Sequence, residues 1–174
     1  MFSSPIPKLH WCKEVWSRLN TPKHSLILWL VMLDKLKTKD RLLKMGIKLQ
    51  ETCNLCTECN ETIQHLFFEC RITNQCLIEI KSWLKWNVAT FNIRQLVKWI
   101  GRAKVSKFKK AVYSAAIAAM VYNAWKMRNA VLWQGVKIDN TRLIEEVKWS
   151  LRTRVQSFLP KKLSSVDREW FCAL

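Results

Sequence analysis

Acidic side chains are scarce in this chain. Its 174 residues hold 13 Asp and Glu against 30 Lys and Arg, a formal charge of +17. From Ile80 to Ile138 there is no acid at all, while twelve Lys and Arg fall there. So lopsided a charge repels itself in a compact state and calls for a polyanionic partner or a very basic complex. Glycine and proline are also few, three and four, which leaves long helices with little to interrupt them. No uncharged run exceeds the fifteen residues from Ala111 to Trp125. Crossing hydrocarbon takes about 20 apolar residues, so this run, with Ser114 and Asn123 inside it, reads as a buried core helix rather than a membrane span. An apolar N-terminal signal segment is missing. Seven cysteines cannot all pair within one chain. Both features suit a reducing compartment, nucleus or cytoplasm. The first acid is Glu14, so organelle targeting stays open.

What the chain has instead is a cluster of metal-ligating residue types. Cys53 and Cys56 stand two residues apart; His65 follows after eight residues, and Cys70 after four more. Three thiolates and one imidazole close a tetrahedral zinc site. A single turn presents Cys53 and Cys56 to one ion, and one short helix turns His65 and Cys70 to the same side. The alternative is a set of buried reduced cysteines, which does not account for two ligand spacings within eighteen residues. Cys59 stands within reach of the same arithmetic. It is read as a spare thiol in a polar turn, Cys59-Asn60-Glu61, between the half-sites. Four ligands leave no open position, so the zinc, one per chain, is expected to be structural rather than catalytic.

These residues resemble a family. Cys53-x2-Cys56-x8-His65-Leu66-Phe67-Phe68-Glu69-Cys70, with Glu61-Thr62 shortly before the histidine, is similar to the zinc-binding domain that follows the polymerase in LINE-type (non-LTR) reverse transcriptases of plants. Upstream, Trp16, Pro22-Lys23, Leu28-Trp29, Leu36, Thr38, Asp40-Arg41-Leu42 and Gly46-Ile47 fit the same pattern. Downstream, Trp125-Lys126-Met127-Arg128-Asn129 and Val131-Leu132-Trp133 resemble the tail of those proteins. Lys126-Met127 departs from an acidic position there, and Cys59 is an extra cysteine. The resemblance implies a region that grips template RNA or target DNA beside a polymerase. With Met1 at its start and no polymerase in it, the chain is expected to be either a fragment of an element or a domesticated remnant.

The periodicity predicts an all-α fold with a small zinc-bound lobe. Helices are expected at 8–20, from Pro22 to about Leu36, from Thr38 to Met45, and at 74–86, 92–101, 104–133 and 139–158. The Pro22 helix, apolar all round between Leu26 and Leu33, is expected at the centre of the core. Four segments follow: N-terminal helices over 1–46, the zinc lobe over 47–72, a basic helical region over 73–160, and a tail over 161–174.

No enzyme is expected. Asp34, Asp40, Asp139 and Asp167 are scattered, and a polymerase needs acids gathered around its metals. Glu61 and Glu69 lack the spacing of a zinc deaminase, and no phosphate loop, nucleophile elbow or metalloprotease motif is present. The bases suggest instead a sequence-tolerant hold on RNA or DNA. The candidates are Arg102, Lys104, Lys107, Lys109 and Lys110 in one stretch, and Lys35, Lys37, Lys39 and Arg41 in another. Lys104, Lys107, Lys109 and Lys110 read as solvent-facing. Trp83, Trp86 and Trp99 lie among bases and are candidates for stacking on unpaired nucleobases. Two other classes stand beside this one: a structural or interaction subunit of a ribonucleoprotein or other large complex, and a binder of anionic membrane surfaces.

Overall fold

The computed structural model describes residues 9–90 and 92–174. Helix α1, Cys12–Val15, is a single turn. Asn20 ends it by folding back, its Nδ2 donating to the carbonyls of Val15 (2.8 Å) and Glu14 (3.1 Å). The expected helix at 8–20 therefore shortens to its middle; Lys8 lies outside the described residues. Helix α2, Pro22–Met32, starts on Thr21 with Pro22 in its first turn, where the missing N–H costs nothing. It stops four residues short of Leu36, because Asp34 takes a left-handed turn at φ 56°. Helix α3, Lys39–Lys44, follows Thr38, and Gly46 at φ 83° lets the chain leave it.

After the lobe come α4 (Arg71–Trp83), α5 (Ile93–Arg102), α6 (Lys107–Gln134), α7 (Asn140–Ser157) and α8 (Ser165–Cys172). Side-chain caps set four of these starts, that of α8 by Ser164, which accepts from the Asp167 N–H. Asn92 accepts from the Gln95 N–H, Ser106 from Lys109, and Asp139 from Arg142. The caps explain why α6 begins at 107 and not at the expected 104. Helix α4 ends at Trp83 rather than residue 86 because Lys85 turns left-handed, φ 51°. Among the described residues the fold has no strand, only an antiparallel bridge between Thr52 and Asn60. Among the described residues no helix is long and apolar enough to cross a membrane.

Helix α6 occupies the centre, and α1, α2, α4, α5 and α7 all pack on it. Every residue from Val112 to Val121 is buried. This corrects the expectation for α2. Leu28, Val31 and Met32 of α2 are buried, but Leu26 is 47% exposed, so one face of α2 meets α6 and the other meets solvent. The physical reason lies in side-chain size. Ala115, Ala116, Ala118 and Ala119 give α6 a narrow waist that neighbours approach from every side. The large side chains of α2 prevent such an approach.

Candidate metal centre and basic surface

The lobe between α3 and α4 is built around four buried side chains. The ligand atoms of Cys53, Cys56, His65 and Cys70 all lie within 4.8 Å of one another. Zinc–sulfur bonds of 2.3 Å at tetrahedral angles put sulfurs about 3.8 Å apart, so the cluster has the right size. His65 turns Nε2 inward, 3.2 Å from Cys56 Sγ. Its carrier is not the α-helical turn anticipated from the spacing. His65–Glu69 forms one π-helical turn, closed by the Cys70 N–H on the His65 carbonyl at 2.7 Å. The wider turn is what lets residues five apart face one ion. Leu66, Phe67 and Phe68 in that turn are buried and anchor it to the core.

Backbone N–H groups surround the sulfurs. The Leu55 N–H points at Cys53 Sγ (3.4 Å) and the Glu58 N–H at Cys56 Sγ (3.5 Å). Cys70 is the N-cap residue of α4, and the nearby N–H groups of Ile72 and Thr73 favour its thiolate. As thiols, Cys53 and Cys70 compete for one proton. That interaction, then burial, pushes Cys53 well above the ordinary thiol range, and the same interaction, against burial, holds Cys70 below it. Donors aimed at buried sulfurs suit thiolates, and a dication is the charge that balances them. The residues thus fit one zinc ion, which would hold the turn Cys53–Cys56 against the start of α4. Cys59 is exposed and outside the cluster; its carbonyl accepts from the Cys53 N–H at 2.8 Å.

A buried ion pair fixes the lobe to the helices. Glu61 is fully buried, which corrects its reading as part of a polar turn. Arg128 of α6 grips its carboxylate with Nε at 2.9 and 3.1 Å and a terminal nitrogen at 2.6 Å. Glu61 Oε1 also accepts from the Lys39 N–H at 3.0 Å. Lys39 is itself buried, with Nζ on the Thr52 carbonyl at 2.6 Å. It ties α3 to the lobe and cannot meet a phosphate, contrary to its place among the candidate bases. Burial first of all holds its ammonium pKa below the usual lysine range, with the Glu61 charge opposing. The pairing of Glu61 with Arg128 was legible only as two motif residues, 67 positions apart, with nothing to join them.

The remaining bases separate by exposure. Lys35, Lys37, Arg102, Lys104 and Lys107 are exposed, and Arg41 is half-buried with its guanidinium on the Asp34 carbonyl. Lys109 and Lys110 are half-buried rather than solvent-facing. Lys109 lies 4.9 Å over the Trp170 ring, and Lys110 donates to the Gly101 carbonyl at 2.9 Å. The tryptophans expected to stack on bases are occupied inside the protein. Trp86 is buried and stacks on Tyr113, with centroids 4.5 Å apart. Trp99 leans on both rings, and Trp83 lies under Lys148 and Arg152. Exposed indoles occur elsewhere: Trp133 at 76% and Trp149 at 70%. Trp149 sits off the buried α7 stripe Leu143, Val147, Leu151 and Val155, a signal the sequence carried.

Residues 1–76 match the family model described as zinc-binding in reverse transcriptase, and this part of the chain is similar to that domain. The match takes in α1 to α3, the four ligands and the first half of α4, and leaves α5 to α8 outside it. No curated protein and no solved structure matches the chain.

Proposed function

We propose that this protein is a nucleic-acid-binding module derived from a LINE-type reverse transcriptase, built on a structural zinc and without polymerase chemistry of its own. The observation that carries the reading is the acid-free stretch from Ile80 to Ile138, with twelve Lys and Arg, placed directly after a zinc-binding domain of reverse transcriptases. Lys and Arg that neutralise phosphates release counterions, so the hold is sequence-tolerant and salt-sensitive. The zinc's part is to stiffen the lobe; chemistry on the nucleic acid is left to other proteins. The site of action is a reducing compartment, nucleus or cytoplasm, where three thiols stay available to the metal.

Binding of RNA and DNA strands over a salt series tests this. Affinity in the micromolar range or better at low salt, falling steeply with log salt, is expected. Replacing Lys104, Lys107, Lys109 and Lys110 together lowers affinity and flattens the slope. Equal affinity and slope in that variant would mean the stretch does not meet the nucleic acid. A second reading, a subunit that contacts proteins in a ribonucleoprotein or other large complex, draws on the exposed apolar group Trp133, Val136 and Ile138 at the α6–α7 corner. Recovery of the protein in a stable assembly that survives nuclease would favour it.

A further inference from the structure

Three clefts lie end to end along the seam between α6 and α7. The first, about 510 Å³, opens where α6 begins and α7 ends, and Arg18, Lys107 and Lys162 stand at it. Phe158 is shared with the second, about 620 Å³, which is lined by Lys23, Tyr122, Trp149 and Arg154. Lys126 and Glu146 are shared in turn with the third, about 220 Å³, where Lys137 and Arg142 stand beyond them. The line runs from the first residue of α6 to just past its last. At 1.5 Å per residue that is roughly 40 Å.

The charges along the line are one-sided in effect. Three carboxylates occur in it, and each is engaged. Asp167 is buried and accepts from Ser106 Oγ at 2.8 Å. Glu146 is held by Lys126 (3.3 Å) and Arg142 (3.1 Å). Asp139 caps α7. Lys23 on the middle cleft and Lys137 on the third are both exposed. Between the bases stand π faces. Trp149 is 70% exposed, and Phe158 is backed by the Arg154 guanidinium 3.8 Å from its centroid.

We infer that this seam is the path of a single nucleic-acid strand, with its phosphates on Lys23, Lys107, Lys137 and their neighbours and a base on Trp149. The inference rests on the proposed function and says where the strand lies. Bases paired in a duplex have no free face for an indole; unpaired ones do, and aromatic platforms between phosphate-binding bases are how strands are held without sequence preference. The seam replaces the platform expected of Trp83, Trp86 and Trp99, whose rings are taken.

The test uses the zinc-loaded full chain and an oligouridylate of about 15 nucleotides, within the range of known strand sites. Trp149→Ala is expected to weaken binding about tenfold and Trp149→Phe about twofold, since phenylalanine keeps a stacking face. Lys23→Gln with Lys137→Gln is expected to flatten the log–log salt slope by roughly 1.4, two phosphates at about 0.7 each. All these side chains are exposed, so circular dichroism should match wild type. If the wild type binds and these variants match it in affinity and slope, the strand lies elsewhere and the seam is wrong, while the proposed function stands. If the wild type binds neither strand nor duplex at about 50 mM salt, both fall. Tighter binding of duplex, indifferent to Trp149→Ala, overturns the seam as a strand path. So does competition by polyglutamate as strong as by unlabelled strand, which would make it a face for acidic protein.

Discussion

Single residues carry the lobe. Cys53→Ser or Cys70→Ser removes a buried ligand, and the expected result is loss of bound zinc with melting of residues around it, because metal binding and local folding are coupled. Cys59→Ser, at an exposed position outside the cluster, should keep about one zinc per chain by metal analysis; its loss there would move Cys59 into the site. Glu61→Gln or Arg128→Met leaves one member of a buried pair uncompensated, at an expected cost of about 3–5 kcal/mol in urea unfolding. The double variant should lose less than the sum, and a plain sum would show that the two do not act together. His24 offers a pH signature. It is buried against Tyr122, with centroids 4.5 Å apart. Burial, then the charges of Lys23 and Arg154, hold its pKa down at about 4. Unfolded, it protonates near 6.5. The stability of its neutral state is complete above pH 6.5 and drains away as pH falls toward 4, by about 3 kcal/mol in all. Unfolding of zinc-loaded His24→Gln should be flatter than wild type over that window; identical pH profiles would exclude His24 as the titrating group.

At the scale of elements, caps decide more than periodicity does. Ser106 Oγ accepts from the Lys109 N–H and donates to Asp167 on α8. Ser106→Ala therefore uncaps the central helix and unties α8 together, for an expected loss of about 1–2 kcal/mol; unfolding at the wild-type denaturant midpoint would refute it. Most of the elements were legible. The stripe Leu143, Val147, Leu151, Val155 marks α7, Thr21-Pro22 marks the start of α2, and Gly46 marks the exit from α3. What escaped were contests between neighbours. Alternation of apolar and polar residues cannot say whether bulky α2 or alanine-rich α6 takes the middle, since both look apolar all round. Nor does a four-residue gap between ligands announce a π turn. Asp34 and Lys85 end their helices left-handed, and neither is glycine. The ligand set itself was readable because metal geometry constrains spacing along the chain. The roles of the bases were not, because Lys39 and Lys37 differ in burial only through what folds over them.

For the whole molecule, the zinc lobe is less separate than its composition suggests. Its four glutamates and lack of Lys or Arg between Glu51 and Cys70 set it apart from a basic surround, yet one of those glutamates is its anchor. Glu61 receives Lys39 from before the lobe and Arg128 from long after it. The stretch shared with reverse transcriptases ends at residue 76, and Arg128 lies 52 positions farther on. A gene segment cut at that limit would transmit every ligand and Lys39 but omit the guanidinium that grips the Glu61 carboxylate. The stretch that matches the family model and the part that folds together therefore have different edges in this protein. Recombination that swaps the tail must bring an arginine to the same place, or let the acid go with it.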